Sequence, residues 1–264
     1  MSSASPVPEY SVEGSGPLLI YIAGLDGTGR LFFKQCPDLA RTYRVVTFTL
    51  RETGRFNYDD LTDDVAAIIN DLGERRATVV GESFGGTVAL WFAISHGDMV
   101  ERLVIVNSFP RFRGRLRIKS AIFLVRLIPF PLIWPWRFVS NTLGLHLDGV
   151  SSADRKRAHE IMRTVNGEGY FRRLELIEEL DIENQLRKIQ APTVFVAGDR
   201  DVLIPSAREA HLMASLMPNA AVTIIKGAGH ACLLGSRVSL AKLLSDWEAE
   251  ASANRAEVDP CSRL

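Results

Sequence analysis

Three polar groups in this chain have the types and settings for nucleophilic chemistry: Ser83, an aspartate at 199 or 201, and His230. A serine hydroxyl attacks a carbonyl only when a base takes its proton, and that base must be oriented by an acid. Ser83 lies in Gly81-Glu82-Ser83-Phe84-Gly85-Gly86, between a β-branched run at 77–80 and an apolar run at 87–94. This reads as strand, sharp turn and buried helix. The glycines remove side chains where strand and helix would collide, and the turn lifts the hydroxyl clear of the sheet. The apolar run at 193–197 leads into Gly198-Asp199-Arg200-Asp201, and the run at 221–225 leads into Lys226-Gly227-Ala228-Gly229-His230. Serine, acid and histidine thus each follow the C-terminal end of a predicted strand, the edge where parallel sheets bind ligands. Spacing alone leaves both aspartates open, and a cap for a helix near Pro205 is the plainer alternative for Asp201.

The elements that must position these groups alternate along the chain. Apolar runs at 18–22, 103–106 and 193–197 suit strands buried in a parallel sheet, and 45–50, 77–80 and 221–225 read as further strands. Helical patterns are predicted at 31–40, 62–72, 206–217 and 237–251. The fold class is therefore α/β, a mostly parallel sheet with helices on both faces. Residues 1–17 and 251–264 read as loose termini, with at most one short strand near Tyr10. After the first apolar run comes Ala23-Gly24-Leu25-Asp26-Gly27-Thr28-Gly29, a loop whose backbone at Gly24 can approach a substrate closely. It lacks the Lys-Ser/Thr ending of a phosphate-binding loop and any dinucleotide fingerprint. Between Asn107 and Ala191 run about 80 residues, far beyond the usual connection of about 2–6. The expectation is a cap at 108–190 inserted into a core of 18–107 and 191–250, with two amphipathic helices at 154–165 and 170–189.

Composition bounds the rest. With 264 residues, 47% hydrophobic and 23% charged, the chain can bury one large core. Its zero net charge argues against a nucleic-acid partner. Cys36, Cys232 and Cys261 are odd in number and widely spaced, which gives neither a disulfide framework nor metal-ligand spacing. The first residues lack a positive start and an apolar stretch, so no leader is readable and the cytoplasm is the expected location.

In the order Ser…Asp…His, and in Gly-Leu-Asp-Gly-Thr-Gly at 24–29 and Gly-Glu-Ser-Phe-Gly-Gly at 81–86, the chain resembles the α/β-hydrolase superfamily with a helical cap. The likeness runs from Leu18 to Trp247. It is similar in particular to bacterial esterases of lipase type and to the hydrolase-like half of plant phytyl ester synthases. The resemblance implies Asp201 as the acid and the backbone N–H groups of Leu25 and Phe84 as oxyanion donors. It implies a serine hydrolase that cleaves carboxylic esters of a hydrophobic acyl group through an acyl-enzyme, with no metal or cofactor. Acyl transfer to a lipid alcohol by the same residues, or a non-catalytic binding protein on the same fold, are the alternatives. Three departures stand out: Ala23-Gly24 where many relatives have His-Gly, a first strand pair missing or much shortened, and no acidic residue soon after His230.

The expected cap is unusual in composition. Residues 102–147 hold eight of the chain's 31 basic residues and none of its 31 acidic ones. They are Arg102, Arg111, Arg113, Arg115, Arg117, Lys119, Arg126 and Arg137. Beside them, 122–136 is apolar and aromatic but interrupted by Arg126, Pro129, Pro131 and Pro135, too broken for a membrane span. Ile122, Phe123, Trp134 and Trp136 are candidate walls of an acyl pocket. The cations are a candidate dock for an anionic membrane or an acyl carrier protein. The plainer reading is a cap packed on the core with a solvated basic edge.

Overall fold

A computed structural model of the protein describes residues 7–114 and 150–258. Ile122, Phe123, Trp134, Trp136 and the cations from Arg115 to Arg137 lie outside the described residues. In chain order the elements are β1 (Tyr10–Glu13), β2 (Leu18–Ile22), α1 (Cys36–Leu39), β3 (Arg44–Phe48), α2 (Tyr58–Asp71), β4 (Ala77–Glu82) and α3 (Phe84–Ser95). There follow β5 (Val100–Val106), α4 (Ser152–Arg163), α5 (Gly167–Glu179), β6 (Thr193–Gly198), α6 (Ser206–Ser215), β7 (Ala220–Ile225) and α7 (Leu240–Val258). The strands form one sheet in the order β1-β3-β2-β4-β5-β6-β7. All neighbours are parallel except β1 with β3. The single strand near Tyr10 is real but only four residues long, and it closes the edge of the sheet.

Strand periodicity divides the core into two layers. Leu18, Ile20 and Ile22 point to one face, where Leu61, Val65 and Ile68 of α2 and Val88, Leu90 and Phe92 of α3 cover them. Leu19 and Tyr21 point to the other, with Leu39 of α1 and Leu240 and Leu244 of α7. Helix α3 is apolar around most of its circumference because it is buried nearly throughout, as its sequence requires. Helix α2 is amphipathic and begins at a capping box between Asn57 and Asp60.

The strand order reverses between β2 and β4. The chain leaves β2 toward α1 on one face of the sheet and leaves β4 toward α3 on the other. The loops after these two strands therefore diverge and open a crevice at their C-terminal ends, the place where open α/β sheets accept ligands.

The segment between β5 and β6 is fastened at its base. Arg111 and Asp181 form an isolated antiparallel bridge, and the Ile182 N–H donates to the Pro110 carbonyl at 3.1 Å. Leu176, Ile177, Leu180, Ile182, Leu186 and Ile189 join the α2–α3 core layer. The expected helix at 170–189 is instead α5 followed by a short 3-10 turn, Glu183–Lys188. Helix α4 packs elsewhere, with Val150 and Ala158 against Leu234, Leu31 and Phe33.

The glycines of the Ser83 turn are steric requirements. A Cβ on Gly81 would lie 2.4 Å from the Gly85 carbonyl oxygen, and one on Gly85 would lie 2.1 Å from that of Ile22. Backbone atoms cannot swing aside as a side chain can. Gly85→Ala is therefore expected to cost about 3 kcal/mol or more, at the top of the overpacking range. Gly97→Ala is the control, since a Cβ there meets nothing within 4 Å. Its unfolding midpoint in urea should stay near that of the wild type. Equal midpoints for the two variants would contradict the steric account.

Candidate active site

Ser83 occupies the apex between β4 and α3 with φ 54° and ψ −117°, outside the regions an L-residue favours. Its backbone is held on both sides. The Ser83 N–H donates to the Val106 carbonyl at 2.9 Å, and the Ser83 carbonyl accepts from Gly86 N–H at 3.0 Å and Ser108 Oγ at 2.8 Å. The side chain meets His230, whose Nε2 lies 2.9 Å from Ser83 Oγ. On the far side of the ring, Nδ1 lies 2.7 Å from Asp201 Oδ2. The three residues come from the ends of β4, β6 and β7, and His230 is 7% exposed.

Geometry decides between the two aspartates. Asp201 faces the imidazole. Asp199 accepts from the Gly227 N–H at 2.7 Å and so shapes the loop that carries His230. Asp201 also takes N–H bonds from Leu203 at 2.9 Å and Ile204 at 3.1 Å, and one from Ser206 Oγ. The turn-capping role and the histidine-orienting role belong to the same carboxylate. Burial pushes the Asp201 carboxyl up, but the bonds from His230, Ser206 and Ile204 outweigh it and hold it below the usual value. It is therefore an anion aimed at Nδ1, which favours the tautomer whose Nε2 can accept the serine proton.

Two positioning residues went unrecognised in the sequence. Asn107, buried and with φ 46°, closes β5. Its Oδ1 accepts from Gly198 N–H at 2.8 Å, while its Nδ2 donates to the carbonyls of His230 at 2.6 Å and Gly229 at 3.2 Å. One amide thereby ties the strand carrying the acid to the loop carrying the histidine. Asparagine tolerates positive φ better than most residues, so an Asn directly after a buried strand run was the available signal. Ser206 follows Pro205 at the start of α6, a serine position that usually suggests only a helix start.

The loop after β2 lies against the serine: a Cβ on Gly24 would sit 3.5 Å from the Ser83 Cβ. Phe84 is the first residue of α3, so its N–H is one that a helix leaves without an internal acceptor. The Gly24 carbonyl accepts from Gly27 N–H at 3.0 Å. Because a trans peptide sets C=O and N–H on opposite sides, this directs the Leu25 N–H away from the turn.

Glu82 precedes the serine and receives the Tyr21 hydroxyl at 2.6 Å. Burial pushes its carboxyl up to about 7, against the opposing influence of Tyr21 and His230. Among the described residues no group of three or more His, Cys, Asp or Glu side chains has the arrangement of a metal site. Some of the basic run also has partners far away in sequence. Arg102 pairs with Glu248, Arg111 with Asp181 at 3.3 Å, and Arg113 with Glu183 at 2.7 Å and Glu209 at 3.3 Å. No acidic residue lies near Arg111 or Arg113 in sequence, but the fold brings carboxylates to all three from segments flanking β6 and from α7. No helix among the described residues is long and apolar enough to cross a membrane.

Two measurements test this description. Asp201→Asn should lower turnover by on the order of 10³–10⁴, the cost of losing an imidazole-orienting carboxylate. Asp199→Asn keeps an acceptor for Gly227 and should cost less than about tenfold; equal losses would count against the assignment. Glu82 gives a pH test. Below pH 4.5 its carboxyl is protonated folded or unfolded, and stability is lost as pH rises toward 7, because burial resists ionisation only in the folded state. Glu82→Gln removes that loss. Its advantage over the wild type in urea should grow between pH 5 and 7, level off above, and reach about 2–3 kcal/mol. A difference that does not vary with pH would refute it.

The alpha/beta hydrolase family model matches residues 19–241. A protein of Stutzerimonas stutzeri named "Putative carbamate hydrolase RutD" is 26% identical over 253 residues, covering 90% of this chain and 94% of that protein. An esterase from Exiguobacterium antarcticum superposes with a TM-score of 0.78 at 18% identity, covering 90% of this chain and 94% of its own. A thermophilic esterase from Thermogutta terrifontis gives 0.75 at 19% identity, covering 92% and 93%. At these identities the two structures speak to the fold. With the family match spanning most of its length, the chain belongs to the alpha/beta hydrolase family.

Proposed function

We propose that the protein is a serine hydrolase that cleaves carboxylic esters with a hydrophobic acyl group. The observation that carries this reading is the relay Ser83 Oγ–His230 Nε2–Asp201 Oδ2, at 2.9 and 2.7 Å. His230 Nε2 takes the proton of Ser83 Oγ as the oxygen bonds to the ester carbonyl carbon. The resulting oxyanion accepts from the N–H groups of Leu25 and Phe84, each such donor being worth about 3–4 kcal/mol in the transition state. The imidazolium, stabilised by Asp201, returns its proton to the departing alkoxide and leaves an acyl-enzyme. Water, deprotonated by His230, then attacks the acyl carbon, Oγ leaves with the proton, and the acid is released.

A carbamate is the second reading, favoured by the name of the Stutzerimonas stutzeri relative. The same attack applies, but nitrogen donation makes the carbonyl less electrophilic, so the oxyanion donors carry more of the burden. Acyl transfer to an alcohol differs only in what accepts the acyl group.

The test is a p-nitrophenyl ester series from acetyl to decanoyl, with a matched carbamate and an added long-chain alcohol. Wild type should be labelled by a fluorophosphonate, and kcat/KM should rise toward medium chains, by up to ~0.8 kcal/mol per buried methylene. Ser83→Ala should abolish labelling and lower turnover by on the order of 10⁴ or more. Labelling elsewhere would overturn the nucleophile. Preference for the carbamate would move the substrate class, and partition of product to the alcohol would make the enzyme a transferase.

A further inference from the structure

Arg173 is the largest fully buried side chain of the described residues, and it projects from α5, in the segment inserted between β5 and β6. A charged group in that position must be met by good hydrogen-bond geometry. Its Nε donates to the Leu25 carbonyl at 3.0 Å, its Nη2 to the Asp26 carbonyl at 3.3 Å and its Nη1 to the Arg51 carbonyl at 3.0 Å. These acceptors are backbone atoms, so the contacts fix the path of the chain whatever side chains it carries. The path fixed is that of the loop after β2. A Cβ on Gly27, at φ +71°, would lie 2.5–2.7 Å from the guanidinium, so the turn is packed directly on the arginine.

The arginine is itself anchored. Glu168 Oε1 accepts from the Gly54 N–H at 2.9 Å, and Arg172 Nε donates to the Phe56 carbonyl at 2.7 Å. A Cβ on Gly169 would lie 2.7 Å from the Glu52 Cα. Helix α5 is thus locked to the 51–56 loop along its first two turns, and the planar fork of Arg173 carries that rigidity to residues 25–27. The Leu25 N–H inherits its direction from the same turn, through the Gly24–Gly27 hydrogen bond.

We propose that Arg173 is a positioning residue for oxyanion stabilisation, holding the Gly24–Gly27 turn so that the Leu25 N–H faces the carbonyl oxygen attacked by Ser83. This rests on the serine-hydrolase reading. The inserted segment then does more than flank the crevice: it builds one wall of the reacting centre.

The experiment compares wild type, Arg173→Ala and Arg173→Lys on p-nitrophenyl butyrate, with a fluorophosphonate as a second probe of Ser83. Inhibition by an alkyl boronic acid, which bonds Oγ and presents an oxygen to the oxyanion donors, is the third readout. Arg173→Ala should lower kcat by about 10²-fold with KM changed less than threefold, the pattern for losing a donor used only in the transition state. Fluorophosphonate labelling should slow, and boronate affinity should fall, by about the same factor. Added guanidinium, kept well below denaturing concentration, should recover part of kcat in Arg173→Ala and none in wild type. Arg173→Lys keeps the charge without the fork and should fall between the two. If Arg173→Ala does not fold, the kcat, KM and boronate values of Arg173→Lys decide. A folded variant with unchanged kcat overturns the proposal, as does a kcat loss with undiminished boronate affinity. Wild type that no fluorophosphonate labels at Ser83 would instead sink the serine-hydrolase reading itself.

Discussion

A serine at φ 54°, ψ −117° is held against a backbone preference worth about 1–3 kcal/mol, and the structure around it is arranged to sustain that conformation. Gly81 lets β4 approach α3, and Gly85 lets α3 approach the end of β2, with no side chain between them. Val106 and Ser108, from the next strand and its exit, bond the Ser83 backbone on both sides. Thr87 bonds back to the Phe84 carbonyl and meets the buried Tyr58 hydroxyl at 3.0 Å, which pins the first turn of α3 from the side of α2. The strain is compensated by packing, hydrogen bonding and burial that extend across four elements.

The remaining groups of the site sit on loops, and loops are the mobile parts of most domains. Here polar side chains remove that freedom. Asn107 ties the end of β6 to the histidine loop, Asp199 closes the turn before His230, and Arg173 grips the loop after β2. Asn107 and Arg173 are buried and each makes several bonds to backbone atoms, so both are costly to remove and specific in what they fix. The two carboxylates nearest the histidine differ for the same reason. Asp201 is surrounded by donors and is held as an anion, whereas Glu82, with the Tyr21 hydroxyl and little else, is pushed toward its neutral form.

The inserted segment shares in this economy of fixed contacts. Helix α4 packs beside the turn that follows His230, and Lys34 pairs with Asp154 at 2.9 Å. Helix α5 is bolted to the loops after β2 and β3. The strand-like base at Arg111 and Asp181 joins the two ends of the insertion. These ion pairs draw Arg111 and Arg113 into the structure, so charge counted along the sequence overstates the charge this region presents to a partner.

Pattern and local sterics were enough to read the strands at 18–22, 77–80 and 193–197, because strands buried on both faces must be continuously apolar. The Ser83 turn was legible because Gly-x-Ser-x-Gly between a strand run and an apolar helical run is itself a local pattern, although the clash that requires Gly85 is with distant Ile22. His230 was readable from its place after a strand. Asp201 over Asp199 was not settled by spacing, since both follow β6 within three residues and only the path of the chain from 198 to 204 aims one of them at the imidazole. Asn107 carried only the local hint of an asparagine after a strand run, and Arg173 carried none. Their partners lie about 90 and 150 positions away in sequence, and a charge within an amphipathic helix ordinarily marks the solvated face. The sequence by itself determined the elements, their order and the chemical types at the strand ends. Tertiary structure alone decided which aspartate faces the histidine, which cations are neutralised and which helix holds the loop beside the serine, because those depend on contacts between segments that no local preference brings together.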